Sequence, residues 1–250
     1  MKAFARCGVH GTTAITAITA QSTTGVSSVH AVPPDSIVDQ VRAVAGDIGV
    51  DAVKVGMLGT RETIAAVQEA LELVGPAPVV LDPVMVAESG AALLDENALE
   101  ALRGLISARA SVVTPNLAEA RILTGREAAD AAELARALIA LGTPVAVVTG
   151  GHEDGDELRA ASATDVFFDG EDLVRIPGER HPDGAAHGSG CTHSSALAAS
   201  LARGASPLEA ARVARAVAAE AVRDGLREIG TGAGPVDVLG IRGGSRAPLT

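Results

Sequence analysis

The chain has 250 residues, 47% of them hydrophobic and 20% charged, with three Phe and no Trp or Tyr. Its formal net charge of −11 leaves no basic face for sequence-independent binding to nucleic acid or anionic membranes, and its few aromatics cannot stack bases. Cys7 and Cys191 form neither a CxxC pair nor a zinc-spaced cluster, no apolar run reaches the roughly 18 residues of a membrane span, and the start MKAFARCGVHG lacks a signal peptide's apolar stretch. A reducing, cytoplasmic setting is expected, and one domain with a core of Ala, Val, Leu and Ile.

Short β-branched runs alternate with longer Ala/Leu/Glu segments. Thr12–Gln21 alternates as a strand would. After Pro33-Pro34, a helix is predicted over Asp35–Ala45 with Asp35 as cap. Ala52–Gly56 (AVKVG) reads as a strand, Thr60–Val74 as a helix capped by Thr60, and Pro78–Leu81 as a buried strand ending at Asp82-Pro83. The rhythm then repeats. Helix Asp95–Ala108 precedes strand Ser111–Thr114, and helices Asn116–Thr124 and Asp130–Leu141 precede strand Pro144–Thr149. Thr164–Asp169 and Leu173–Ile176 flank Asp169-Gly170, a hairpin signature. Helices Thr192–Arg203 and Pro207–Glu228 follow, and residues 230–250 read as a fraying tail with one short segment near Val236–Leu239.

Strand–helix alternation with apolar strands predicts an α/β fold: a mostly parallel sheet with helices on both faces and an antiparallel edge hairpin. In such sheets ligands collect at the carboxyl ends of the strands. The unusual residues sit there: Gly56-Met57, Asp82 to Met85, Pro115-Asn116 and Gly150-Gly151-His152.

The stretch Gly188-Ser189-Gly190-Cys191 combines glycines with a helix start. Backbone N–H groups and the positive end of a helix dipole make an anion site suited to a phosphoryl group gaining charge in transfer. The same field is expected to lower the Cys191 pKa, so that the thiol accepts or polarises a substrate proton. The plainer alternative is a glycine-rich cap with a small buried Cys. Asn116 and Glu119 have capping-box spacing, which from spacing alone outweighs the alternative of a hydrated Mg²⁺ site. Asp82 either ends its strand or faces a metal. Gln21 offers the donor and acceptor that read a heterocycle edge, or simply ends a strand. Met57 and Val84 floor an apolar pocket or belong to the core. His181, His187 and His193 recur every six residues, which is no structural repeat; His187 is placed to orient the glycine turn, and His193 reads as exposed.

Taken in order, GVHGTTAITAITAQSTTGV, VKVGMLG, VVLDPVMVAESGAALL, VVTPNLAEARILTG, GGH and HGSGCTHSSALAASLARG resemble the hydroxymethylpyrimidine/phosphomethylpyrimidine kinases of thiamine biosynthesis, within the ribokinase-like superfamily. The resemblance runs from Gly8 to about Gly204. It implies a ribokinase-like fold, ATP and Mg²⁺ as cofactors, and phosphorylation of 4-amino-5-hydroxymethyl-2-methylpyrimidine or its monophosphate. It further implies that Gln21 reads the pyrimidine, that Met57, Val84 and Cys191 line its pocket, and that Gly188, Ser189, Gly190 and Cys191 are catalytic. Asn116, Thr149, Gly188 and Gly190 then hold the nucleotide phosphates, and Asp82 and Glu119 hold Mg²⁺ through water. A homodimer is expected, with a small-molecule substrate as the other partner. Pyridoxal kinase activity and non-catalytic pyrimidine binding are the alternative readings.

Two departures from the family pattern stand out. The family opens with a strand, a Gly-rich turn and a helix, whereas this chain begins at Met1 inside that helix. About twenty residues are thus expected to be missing, roughly a strand and its connection, through a start codon assigned too late or a truncation. The family's Lys before Gly-Gly-His is Thr149 here, which removes one positive charge from the transfer site.

Overall fold

The computed structural model describes residues 1–87, 90–150, 163–182 and 184–241. The chain begins with α1 (Lys2–Arg6), then an antiparallel hairpin of β1 (Ala17–Gln21) and β2 (Val26–Ala31) that forms a separate two-stranded sheet. The predicted strand over Thr12–Gln21 therefore shortens to its second half. Its partner β2 was not anticipated, because VSSVHA carries too few apolar residues to read as a strand.

Helix α2 (Pro34–Asp47) starts on Pro33 and places Pro34 in its first turn, where the missing N–H is no loss. Asp35 therefore lies inside the helix rather than at its cap. β3 (Val53–Val55), α3 (Arg61–Glu72) and β4 (Val79–Leu81) follow; a short 3₁₀ turn at Glu96–Ala98 leads into α4 (Leu99–Arg109), then β5 (Val112–Val113), α5 (Leu117–Thr124), α6 (Ala131–Ile139) and β6 (Val145–Val148). Several helix starts follow from local side-chain chemistry. Thr60 accepts from the Thr63 N–H, and Asn116/Glu119 and Asp130/Glu133 close reciprocal capping boxes.

β7 (Asp165–Phe168) and β8 (Leu173–Ile176) complete a six-stranded sheet in the order β3-β4-β5-β6-β7-β8, parallel through β6 and antiparallel thereafter. Each parallel strand lies beside the next in sequence, so successive crossovers stack their helices on one face. Leu81, Val113, Ala146 and Val148 pack there with α3 to α6. Val80, Val112, Val145 and Val147 point the other way, against α7 (Ser189–Ala202) and α8 (Pro207–Arg223). Burial on both faces is why these strands read as unbroken apolar runs. The contact between α7 and α8 is built on Ala196, Ala198, Ala210, Ala211 and Ala214, all buried; small side chains allow close approach of two helices where large aromatics are absent.

α7 begins three residues earlier than the predicted Thr192. α8 ends at Arg223 rather than Glu228, because the chain turns there and the Leu226 N–H donates to the Pro235 carbonyl at 2.9 Å. Val236 and Val238 are buried against α1 and α8; residues 242–250 of the expected tail lie outside the described residues. No helix among the described residues is long and apolar enough to cross a membrane.

Candidate active site

The carboxyl ends of β3 to β6, the start of α7 and the β1–β2 hairpin surround one cavity of about 1040 Å³. Part of that volume is a slot along the free edge of β3, with Ile37, Val41 and Leu71 on one side and Ala198 and Ala202 on the other. The rest is polar. Gln21, Met57, Asp82, Val84, Asn116, Glu119, Thr149 and the segment Gly188 to Cys191 all line it. Gly151 and His152 lie outside the described residues.

The floor is set by α7. Gly188 caps the helix in the left-handed region, φ 89°, which suits a residue without Cβ. The Ser189 N–H turns back to the Ala186 carbonyl at 2.9 Å, and Thr192 N–H reaches the Gly188 carbonyl at 2.9 Å. Between them, the Gly190 N–H has no acceptor among the described residues, and the Cys191 N–H has its own sulfur. A Cβ on Gly190 would meet open space, so that turn faces the cavity unobstructed. Backbone donors at the positive end of a fourteen-residue helix are suited to a phosphate.

The Cys191 thiol does not behave as the helix field alone suggests. Although the residue is exposed to the cavity, the protein around its sulfur desolvates it, and this raises its pKa above the ordinary thiol value. Lys54 pulls it down, Asp82 and Glu119 push it up again, and a hydrogen bond from the Cys191 N–H lowers it slightly. The expected lowering is thus corrected: the loss of water, with two carboxylates distant in sequence, outweighs Lys54 and the backbone N–H.

Asp82, 5% exposed, takes the Lys54 ammonium at 3.3 Å and the Ser194 hydroxyl at 2.8 Å, both on Oδ2. Burial opposes the charge on Lys54, but attraction to Asp82 and to the Cys191 position, with the hydrogen bond that the ammonium donates to Asp82, leaves the lysine pKa above its ordinary value. Glu119 is also buried. Its Oε2 accepts from the Asn116 N–H at 2.9 Å and its Oε1 weakly from the Met85 N–H at 3.5 Å. Asn116 Oδ1 accepts from the Glu119 N–H at 2.9 Å, so the capping box is real. Burial and nearby Asp82, against the lowering effect of the Asn116 and Met85 amide donors, raise the Glu119 pKa to about 7.

Two buried carboxylates close enough for Asp82 to raise the Glu119 pKa form a place where a cation is favoured. No group of three or more His, Cys, Asp or Glu side chains among the described residues encloses a metal. That pattern fits Mg²⁺, which keeps several waters and binds through one or two carboxylates together with substrate phosphates.

Opposite this floor, the Gln21 side-chain amide lies 3.3 Å from His187 Nε2. The His187 backbone is itself held by Gly234 and Val236. Met57 gives its carbonyl to the Thr16 hydroxyl at 3.0 Å, and the Val84 N–H bends back to the Asp82 carbonyl at 2.9 Å.

The sequence reading missed three polar side chains here. His193 is not exposed: it is buried, with Nε2 3.0 Å from Asp165 Oδ2, and Asp165 Oδ1 accepts the Gly150 N–H at 3.1 Å. Ser194 reaches Asp82 from the same helix turn. Lys54 had a visible signal, a charged residue inside the apolar strand AVKVG.

The family model described as phosphomethylpyrimidine kinase matches residues 1–237. A hydroxymethylpyrimidine/phosphomethylpyrimidine kinase of Rhizobium meliloti is 48% identical over 94% of this chain and 88% of its own length. Among solved structures, the pyridoxal kinase of Staphylococcus aureus in complex with AMP-PCP and pyridoxal matches with a TM-score of 0.82 and 31% identity, covering 95% of this chain and 85% of that one. The phosphomethylpyrimidine kinase of Clostridium difficile matches with a TM-score of 0.75 and 32% identity, covering 88% and 90%. The parallel sheet and the cavity at its carboxyl end are therefore those of a ribokinase-like kinase, and the chain belongs to the phosphomethylpyrimidine kinase family.

Proposed function

We propose that the chain transfers the γ-phosphoryl group of ATP to the hydroxymethyl oxygen of 4-amino-5-hydroxymethyl-2-methylpyrimidine, and then phosphorylates the resulting monophosphate. One observation carries the chemistry: the Gly190 N–H, without an acceptor among the described residues, and the Cys191 N–H beside it lie at the cavity that Gln21 and Met57 also line. A terminal phosphoryl group seated there has its developing charge held by donors that need no reorganisation. Gln21 presents an amide to the ring edge, with Met57 and Val84 as apolar walls. Asn116 and the Thr149 strand end lie on the nucleotide side, along with Gly188 and Gly190.

The raised thiol pKa keeps Cys191 protonated before reaction. In a loose transition state the acceptor hydroxyl loses its proton late, so Cys191 serves by hydrogen bonding to and orienting that hydroxyl rather than as a strong preformed base. Asp82 and Glu119 would hold Mg²⁺ through water, and the ion would neutralise charge on the nucleotide phosphates.

Pyridoxal is the second reading, because the Staphylococcus aureus structure binds pyridoxal in a related fold. Non-catalytic pyrimidine binding is separated from both by ATP consumption. The test is turnover of both substrates with ATP and Mg²⁺, read as ADP release and product mass, in the parent chain and in Cys191→Ala. The pyrimidine is expected to turn over, and Cys191→Ala to keep its fold while kcat falls at least tenfold. An unchanged kcat removes Cys191 from the mechanism, and pyridoxal turnover alone moves the substrate assignment. A cytoplasmic homodimer is part of the proposal; Ile15, Ile18 and Val29, exposed on or beside the β1–β2 hairpin, supply an apolar surface for it.

A further inference from the structure

Lys54 has a place in the cavity that its ion pair does not explain. Its side chain is 13% exposed, at the carboxyl end of β3, and its ammonium has three N–H donors. Asp82 Oδ2 is the acceptor recorded for it, at 3.3 Å, and that oxygen is already shared with the Ser194 hydroxyl at 2.8 Å. The remaining donors have no acceptor among the described residues. A lysine that served only to neutralise Asp82 would be placed away from solvent space. This one lines the cavity together with Cys191, Gly188 and Gly190.

The backbone also keeps room for it. A Cβ on Gly56 would fall 2.5 Å from Lys54 Nζ, so the bare glycine backbone lets the ammonium lie where it does. Thr149, at the end of β6, brings no positive charge to the cavity, and its N–H is held on the Pro115 carbonyl at 2.9 Å.

We propose that Lys54 is a catalytic residue of the transfer step: its free N–H donors contact the migrating phosphoryl group beside the Gly190 and Cys191 amides. In that step the acceptor oxygen forms a bond to the γ-phosphorus, the bond from phosphorus to the bridging oxygen of ADP breaks, and the hydroxyl proton passes to solvent. Lys54 stays protonated throughout and contributes charge alone. A buried ammonium with one carboxylate partner is well suited to this, because it is held in place before the substrate arrives. This inference rests on the kinase reading. Turnover by the parent chain tests that reading, and the variants below test Lys54.

Three variants are compared with the parent: Lys54→Met, Lys54→Arg and Gly56→Ala. For each, kcat, the KM of the pyrimidine, the Kd of AMP-PCP by calorimetry and the thermal midpoint are measured. Loss of a preformed donor to transition-state charge costs about 100-fold or more in kcat. Lys54→Met is expected to show that loss while KM and the AMP-PCP Kd stay within about threefold. Lys54→Arg should recover part of it, since charge and donors return in a wider fork. Gly56→Ala keeps the lysine but displaces its ammonium, and kcat should drop about tenfold with the thermal midpoint near that of the parent. The inference is overturned if Lys54→Met keeps kcat within threefold, or if its loss is matched by an equal loss of AMP-PCP affinity, which would make Lys54 a ground-state anchor. Should Lys54→Met fail to fold, Gly56→Ala decides: parent-like kcat there overturns the proposal.

Discussion

Replacing Glu119 with Gln should make the ligand-free protein more stable at alkaline pH and leave it nearly unchanged in acid. Glu119 has its pKa raised from 4.5 to about 7 by burial and by Asp82, against two opposing amide hydrogen bonds. A carboxyl group whose pKa is higher in the folded state binds its proton more tightly there. Stability therefore falls as pH rises from the unfolded value near 4.5 through the folded value near 7, and the full penalty is present above that. At about 1.4 kcal/mol per pH unit the shift amounts to roughly 3 kcal/mol at pH 8. Gln carries no charge and its Oε1 can still accept the Asn116 N–H, so the capping box survives. Urea unfolding of both proteins at pH 5 and pH 8, without nucleotide or divalent ions, measures the difference. The two should match at pH 5, and Glu119→Gln should be more stable by about 2–3 kcal/mol at pH 8. A gap that does not widen between those pH values would refute the argument that Glu119 is a destabilised buried acid. Adding Mg²⁺ at pH 8 should then stabilise the parent more than the variant, since the ion relieves a charge that Gln lacks.

Gly188→Ala forces a side chain into the left-handed region at φ 89°, a strain of about 1–3 kcal/mol. The thermal midpoint should fall by at least about 2 °C, and kcat/KM more than tenfold as the Gly190 and Cys191 amides shift; parent-like kinetics would remove the helix start from the site. Asn116→Ser separates capping from ligand binding. A serine restores the cap to within a few tenths of a kcal/mol, so stability should be retained while the KM for ATP rises several-fold. If KM is unchanged, Asn116 is a cap and nothing more.

How legible these features were depends on how far apart in sequence their causes lie. The capping box at Asn116/Glu119 depends on residues three apart, and spacing alone pointed to it. The strands of the large sheet were readable because burial on both faces demands apolar runs such as VVL and VAVV. The glycine turn before α7 was readable as chemistry because the φ 89° position and the Gly190 and Cys191 amides lie within four residues of each other. The misses share the opposite property. The partner of His193 is 28 residues away, and that of Ser194 is 112 away. A polar residue in an alanine-rich helix carries no local sign of either. The thiol pKa failed for the same reason: the helix field is local to Cys191, while the burial that raises it most, and the Asp82 and Glu119 carboxylates, come from elements distant in sequence. β2 was missed because its side chains are mostly exposed, so no burial pattern marks it.

These non-local contacts also explain why the start of α7 can be held at the ends of the sheet without a side-chain cap of its own. The helix has no capping hydrogen bond at Gly188, and a start left open for a ligand must be fixed from elsewhere. The next turn supplies that. Ser194 bonds to Asp82 beyond β4, and His193 bonds to Asp165 at the start of β7, whose other oxygen takes the Gly150 N–H after β6. Thr149 in turn donates its N–H to Pro115, next to the Asn116 cap. One turn of α7 is thus tied to the strand ends that carry Asp82, Asn116 and Thr149, through buried groups whose partners are themselves bonded. A buried hydrogen bond is worth only about 1 kcal/mol in net stability, but an orphaned partner is penalised more heavily. The arrangement therefore resists sliding of the helix more strongly than it stabilises the fold, and that is what an anion site of unpaired amides requires.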